Sequence, residues 1–397
     1  MSRPRVAPGL GLVLTGGGAR TAYQVGALLA ISDWLGRPRR SPFSVITGTS
    51  AGAINAGVLA AHAGNFARGV EGLAGVWRTL RVVDVFRCDR RAIYGRAAHW
   101  LWALLRGGLG PHNPRALLDC QPLRVLLERH VNFARIAFSL RRGALDAVGL
   151  TASGYGSGRG VTFYQAAREL PPWSRERMLS RPVELMLDHV MASVAIPLLF
   201  EAVRIGDDWY GDGSMRDHTP LSTAINLGAE RLLVLSTRNS DTAPLPQSPP
   251  YPTLGKIAGY VLDSLFMDGV GANLERLQGL NELVQRAGAE PPQRHGRPLR
   301  HVEASVLTPS VDLRALATRH SRRFPRRVRR LLRGLGAFGE LSPLPSYVLF
   351  DGAFCGELMD LGYADAERRK DAILATLIGP DGPASSSVSY VQEGIKI

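Results

Sequence analysis

Apolar residues in the first sixty positions fall into short blocks that alternate with helically spaced stretches. Leu10–Leu14 is one such block, closed by Gly16–Gly18, and it reads as a strand buried on both faces. From Ala19 to Leu35 the positions Ala22, Val25, Leu28, Leu29 and Trp34 recur at helical spacing and predict a helix that turns them toward the core. Phe43–Ile46 reads as a second strand. Residues 51–63, rich in Ala, Gly and aliphatic side chains, read as the helix after it. Strands alternating with helices predict a parallel sheet covered on both faces. In such sheets, sites lie at the carboxyl ends of the strands, where both glycine clusters fall.

Beyond residue 70 the pattern is less regular. Residues 122–130 predict a helix, and residues 145–151 and 160–163 predict strands joined by a Gly- and Ser-rich loop. Residues 190–200 are apolar, with a helix expected to stop before Pro197. Residues 203–205 and 209–210 flank Gly206, Asp207 and Asp208 as a hairpin. Thr219 followed by Pro220 predicts a helix start, Gly228 its end, and residues 231–236 the next buried strand. Residues 241–253 read as a loop, 256–287 as mostly helix, and 294–300 as a polar segment. No internal repeat is present.

Composition narrows the picture. The 397 residues, 45% hydrophobic, suffice for a large core. The three cysteines, Cys88, Cys120 and Cys355, form neither a disulfide framework nor a zinc pattern, and they predict buried thiols. The N-terminal apolar run is short and ends in glycines, so it reads as a strand rather than a signal peptide. No apolar stretch is long enough to predict a membrane-spanning helix. A cytoplasmic location, with peripheral membrane contact, is the expectation.

The net charge of +14 favours a polyanionic partner. Its densest stretch, from Arg319 to Arg333, holds eight arginines and no acidic residue. One aromatic interrupts it, and no helix-turn-helix, RRM or zinc pattern accompanies it. Nucleic acid is therefore set aside in favour of a solvated face or an anionic membrane surface. His99–Gly108, Trp-rich and Arg-flanked, reads either as an interfacial helix or as one packed on the core.

Three motifs carry chemistry. Gly48–Gly52 reads GTSAG between a strand and a helix, the setting of a nucleophile elbow. Gly48 and Gly52 permit the sharp turn, Ser50 stands at its apex, and the Ala51 amide opens a helix that favours an anion. Thr15–Arg20 reads TGGGAR, with Gly16, Gly17 and Gly18 exposing amides as an anion nest and Arg20 adding charge. Asp212, followed by Gly213 and Ser214, lies at a strand end. Of the later histidines, His218, His295, His301 and His320, none lies in a convincing strand-end loop. A carboxylate acting directly on the serine remains open.

TGGGAR, GTSAG and then Asp212-Gly213-Ser214, in that order along the chain, resemble the patatin-like phospholipase family of bacterial type. Residues 191–200 and 209–235 resemble its second block. The resemblance is close over residues 10–58 and 189–238. It implies a three-layer α/β/α fold and a serine lipid acyl hydrolase with Ser50 as nucleophile and Asp212 as base. Gly16, Gly17, Gly18 and Arg20 would form the oxyanion-hole motif. No metal or cofactor is implied. The family pattern at the aspartate is Asp-Gly-Gly, and this chain has Ser214 in the last place. A catalytic domain over residues 8–240 and a mainly helical extension over 254–378, packed on it, are expected. An acyltransferase on the same dyad, or a membrane-binding protein with a degenerate site, are the alternatives.

Overall fold

The computed structural model describes residues 9–89, 95–238, 251–266, 269–288, 293–294, 297–338 and 342–379. The chain begins with β1 (Leu10–Leu14), α1 (Ala22–Trp34), β2 (Val45–Thr49), α2 (Ala51–Ala61) and α3 (Phe66–Thr79). A helical excursion follows: α4 (Val82–Val85), α5 (Arg96–Leu105), α6 (Gln121–His130) and α7 (Ala134–Arg141). The sheet then resumes with β3 (Ala147–Gly154), β4 (Gly160–Ala166) and β5 (Met178–Pro182). Next come α8 (Leu187–Ser193), the hairpin β6 (Val203–Ile205) and β7 (Asp208–Asp212), α9 (Pro220–Asn226) and β8 (Arg231–Leu235).

The later chain contains α10 (Leu254–Leu265), α11 (Val270–Ala287), the short ladder β9 (Gln293–Arg294) and β10 (Arg297–Pro298), and β11 (Glu303–Leu307). It closes with α12 (Leu313–Arg319), α13 (Arg326–Gly334), α14 (Leu344–Val348), α15 (Gly352–Arg368) and α16 (Lys370–Ile378).

Strand order is β11-β8-β1-β2-β3-β4-β5, parallel from β11 to β3, with β4 antiparallel to β3. β1, β2, β3 and β8 are buried throughout, which explains the apolar runs Leu10–Leu14 and Leu232–Leu235 and the small or aliphatic residues that dominate β2 and β3. Helices on both sides of this sheet make the expected three-layer α/β/α arrangement. The second strand runs on from its apolar residues through Thr49, up to the serine itself.

The strands and helices read from sequence recur with shifted ends. α1 starts at Ala22 because Gly18–Thr21 forms a 3-10 turn out of the glycine loop. α8 ends at Ser193, ahead of Pro197. Thr219 occupies the N-cap of α9 but makes no side-chain cap bond, so Pro220 alone supplies the local start signal. Residues 256–287, read as mostly helix, hold two helices, α10 and α11. Of the expected loop at 241–253, residues 241–250 lie outside the described residues, as does His295.

The part of the chain after Leu254 also completes the sheet. β11 pairs in parallel with β8, and α15 packs along α1, where the Tyr23 hydroxyl donates to Asp365 Oδ2 at 3.0 Å. Leu358, Met359 and Phe354 of α15 are buried in the main core.

Candidate active site

Sheet register brings the two motif residues together. β3 pairs with β2 up to Thr49 opposite Thr151, and at the next position, Ala152, its partner becomes Asp212 of β7. Ser50 follows Thr49 directly, so β2 and β7 meet end to end along one edge of β3. The Ser50 hydroxyl donates to Asp212 Oδ2 at 2.6 Å, and both residues are 2% exposed.

The elbow is strained in the manner expected of such a turn. Ser50 has φ 56° and ψ −132°, a region costly for a residue with a Cβ. Surrounding bonds hold it there. The Ser50 amide donates to Ser193 Oγ at 2.9 Å, and the Ser193 hydroxyl donates to the Thr151 carbonyl at 2.6 Å. A Cβ on Gly52 would stand 2.4 Å from the Leu14 carbonyl oxygen, so α2 can approach β1 only with glycine there.

Asp212 is held on several sides. Its amide donates to the Ala195 carbonyl, and its own carbonyl accepts from the Ser153 hydroxyl, both at 2.8 Å. Burial pushes its carboxyl up to about 6, against hydrogen bonds from Ser50 and from the amide and hydroxyl of Ser214. The Ser214 amide donates to Asp212 Oδ1 at 2.8 Å. Nearby, buried Asp217 accepts from the Thr49 hydroxyl at 2.6 Å, and burial raises its carboxyl too.

The glycine loop lies beside this pair. A Cβ on Gly16 would fall 2.9 Å from Ser50 Cβ. Thr237 Oγ1 donates to the Gly16 carbonyl at 2.6 Å, and Gln24 Nε2 donates to the Thr15 carbonyl at 2.8 Å. Gly18 has φ 55°, and a Cβ there would meet the Tyr347 carbonyl oxygen at 2.3 Å. Gly18 opens a 3-10 turn and Ala51 opens α2, positions whose amides lack acceptors within the helix.

Arg20 is placed differently from its glycines. Its guanidinium donates to Ser346 and Tyr347 rather than standing over Ser50.

Gly18, Ser50 and Ala51 line one end of a cavity of about 530 Å³. Its walls are apolar, among them Ile54, Val58, Leu73, Trp77, Leu127 and Ile196, and its far end reaches His62 and Arg68. Of the histidines weighed as a third member, His218 is exposed and His320 pairs with Glu357, so neither enters this centre.

Ser193, Ser153, Thr237, Ser346 and Tyr347 were not singled out from sequence. Ser193 lies in the block carrying the family resemblance, the one signal that could have found it. The others support the centre through long-range contacts with no local spacing.

An elbow serine and a buried aspartate on an α/β/α sheet define the class of protein. The family model for Patatin-like phospholipase matches residues 12–225, more than half of the chain, and the protein belongs to that family. Among curated proteins none matches the sequence significantly. Among solved structures, VipD from Legionella pneumophila is 12% identical with a TM-score of 0.36, over 92% of this chain and 68% of that one. Human GIVD cytosolic phospholipase A2, in complex with methyl gamma-linolenyl fluorophosphonate, is 12% identical with a TM-score of 0.45. That match covers 93% of this chain and 59% of the human one.

Proposed function

We propose that the protein is a carboxylic-ester hydrolase acting on lipid acyl chains, with Ser50 as nucleophile and Asp212 as its base. The observation that carries this reading is the 2.6 Å bond from Ser50 Oγ to Asp212 Oδ2, with Ser50 lining a largely apolar cavity. A free serine is a poor nucleophile and needs such a partner.

In the first step Asp212 takes the hydroxyl proton as Ser50 Oγ bonds to the ester carbonyl. The resulting oxyanion lies toward the Gly17, Gly18 and Ala51 amides, where helix N-termini favour negative charge. Collapse of this intermediate expels the alcohol, which leaves with the proton from Asp212. Water then attacks the acyl-serine with its proton passing to Asp212; collapse of this second intermediate breaks the bond to Ser50 Oγ, which takes that proton back from Asp212, and the fatty acid is released. The carboxyl level of about 6 suits both roles, ionised at neutral pH and not far from its protonated form.

Labelling with a fluorophosphonate probe tests the reading. Wild type is expected to label, while Ser50→Ala and Asp212→Asn are not. Equal labelling of wild type and Ser50→Ala would remove it.

Acyl transfer to an alcohol is the second reading, favoured by the near-complete burial of Ser50 and Asp212, which limits bulk water. Incubation with glycerol or a lysolipid distinguishes the two, since an acylated acceptor forms only by transfer.

A further inference from the structure

α10 presents the wrong side to water. Gly255 and Gly259 lie against Ala337 and against Pro343 and Leu344, and Leu262 is buried with them. The apolar side faces out, with Leu254 69% exposed, Ile257 42%, Tyr260 70% and Val261 51%. These four occupy about a third of the helix circumference. Tyr251, just ahead of the helix, is 91% exposed. An apolar stripe turned to solvent in this way marks a docking surface.

What borders the stripe identifies its partner. Lys256 lies on α10 itself. The Gly255 amide donates to the Leu335 carbonyl at 2.6 Å, and the Thr253 hydroxyl donates to the Gly336 carbonyl at 2.9 Å. These bonds fasten the start of α10 to the end of α13. On α13, Arg326, Arg327, Arg330 and Arg333 are exposed. Apolar and tyrosine side chains beside a row of arginines fit a lipid–water interface with anionic headgroups.

The same helix roofs the centre. Phe266, which directly follows α10, is buried and lies against Gly16, where a Cβ would stand 3.2 Å from its ring. That ring stacks on Tyr347 with centroids 4.8 Å apart. One turn earlier, Asp263 Oδ1 accepts from the Tyr347 hydroxyl at 2.5 Å.

We propose that α10 and α13 form the surface by which the protein docks on an anionic lipid interface, the docking helix being also the roof of the Ser50 loop. The proposal rests on the reading of this centre as one that acts on lipid esters. A pull on the exposed stripe acts directly on Phe266 and Asp263.

Flotation with vesicles tests it without turnover, using protein carrying Ser50→Ala. Phosphatidylglycerol mixed with phosphatidylcholine is compared with phosphatidylcholine alone. Binding to the anionic vesicles is expected. Leu254→Asp combined with Tyr260→Asp should weaken it at least about tenfold. Arg326→Glu combined with Arg330→Glu should abolish the preference for phosphatidylglycerol. With Ser50 intact, both double variants should cleave a short soluble ester as wild type does, which shows that they fold. Wild type inert toward that ester would count against the hydrolase reading while leaving the flotation result standing.

Three results overturn the proposal. One is unchanged flotation of the Leu254 and Tyr260 double variant. Another is loss of flotation only when Leu104 and Leu105, exposed on α5, are changed. The third is a wild-type oligomer that the α10 variant dissociates without altering flotation, which makes a second copy the occupant.

Discussion

Arg20 of the glycine loop stacks on Tyr347, from the far end of the chain, with its guanidinium carbon 3.8 Å from the ring centroid. Nε and Nη2 donate to Ser346 Oγ at 2.9 and 2.7 Å, and Nη1 donates to the Tyr347 hydroxyl at 2.9 Å. The charge also faces Asp263 at 3.6 Å. The last quarter of the chain therefore holds the loop that approaches Ser50, and the arginine is the link.

Two variants separate a loop-holding role from direct action on the oxyanion. Tyr347→Phe cuts the hydrogen bonds to Asp263 and Arg20 but leaves the guanidinium charge in place. If Arg20 acts through the loop, Tyr347→Phe lowers kcat severalfold and Arg20→Ala also costs about 2 kcal/mol of stability. Unchanged kcat in Tyr347→Phe beside a large loss in Arg20→Ala would assign the charge to the oxyanion. Steady-state kinetics and thermal melts read both.

Ser214 stands where the family pattern has glycine, and the turn accepts it without strain. Among the described residues the non-glycine positions with positive φ are Arg37, Ser50 and Leu198. Its hydroxyl also bonds the Asp212 carboxyl and lowers its pKa. Asp212 must be ionised to take the Ser50 proton, so kcat/KM is expected to fall as pH drops through about 6. Ser214→Gly keeps the amide bond and removes the hydroxyl bond. The carboxyl then rises and the acid limb moves to higher pH, with activity at pH 8 little changed. A pH profile with an unmoved acid limb would show that the hydroxyl does not tune this group.

Much of this centre was legible in the sequence, for a physical reason. GTSAG and Asp212 are each fixed by local geometry, a strand end followed by a turn that needs small residues. The apolar blocks of β1, β2 and β8 were legible because strands buried on both faces favour runs of aliphatic residues. β11 was not read, because Glu303 and Ser305 interrupt its apolar pattern. Such a strand is specified by its pairing with β8 rather than by its own composition. Ser193 and Thr237 escaped notice similarly: a lone hydroxyl has no period, and its partners lie far away in sequence. Arg20 was legible as a charge beside glycines, but its direction is set by Ser346 and Tyr347.

Asp212 should weaken the fold it serves. Its carboxyl lies near 6 in the folded protein against an ordinary 3.8, so the folded state holds the proton more tightly than the unfolded chain. Stability from this group is full below about pH 4 and is lost as pH rises through 6. The loss at neutral pH is at most about 3 kcal/mol. Asp212→Asn removes the charge while its amide can still bond Ser50 and accept from the Ser214 amide. The variant is expected to be inactive yet to melt several degrees higher at pH 7, with the gap closing at pH 4. A variant that melts lower than wild type at pH 7 would contradict burial as the cause of the shift.

The cavity sets a limit on the acyl chain. It follows α2 from Ala51 toward His62, and eleven helical residues span about 16 Å. An extended chain advances about 1.2 Å per bond, so roughly thirteen bonds fit along it. Val58 lies seven residues beyond Ala51, about 10 Å down the helix, and is buried against the cavity. Val58→Trp would place an indole across the path at roughly the eighth bond. Short esters should then be cleaved as by wild type, while kcat/KM for chains beyond about ten carbons falls at least tenfold. A series of nitrophenyl esters of increasing length reads the cut-off directly. A profile that falls equally at all lengths would mean that the indole disturbs Ser50 itself. A profile unchanged at every length would mean that the acyl chain does not run along α2.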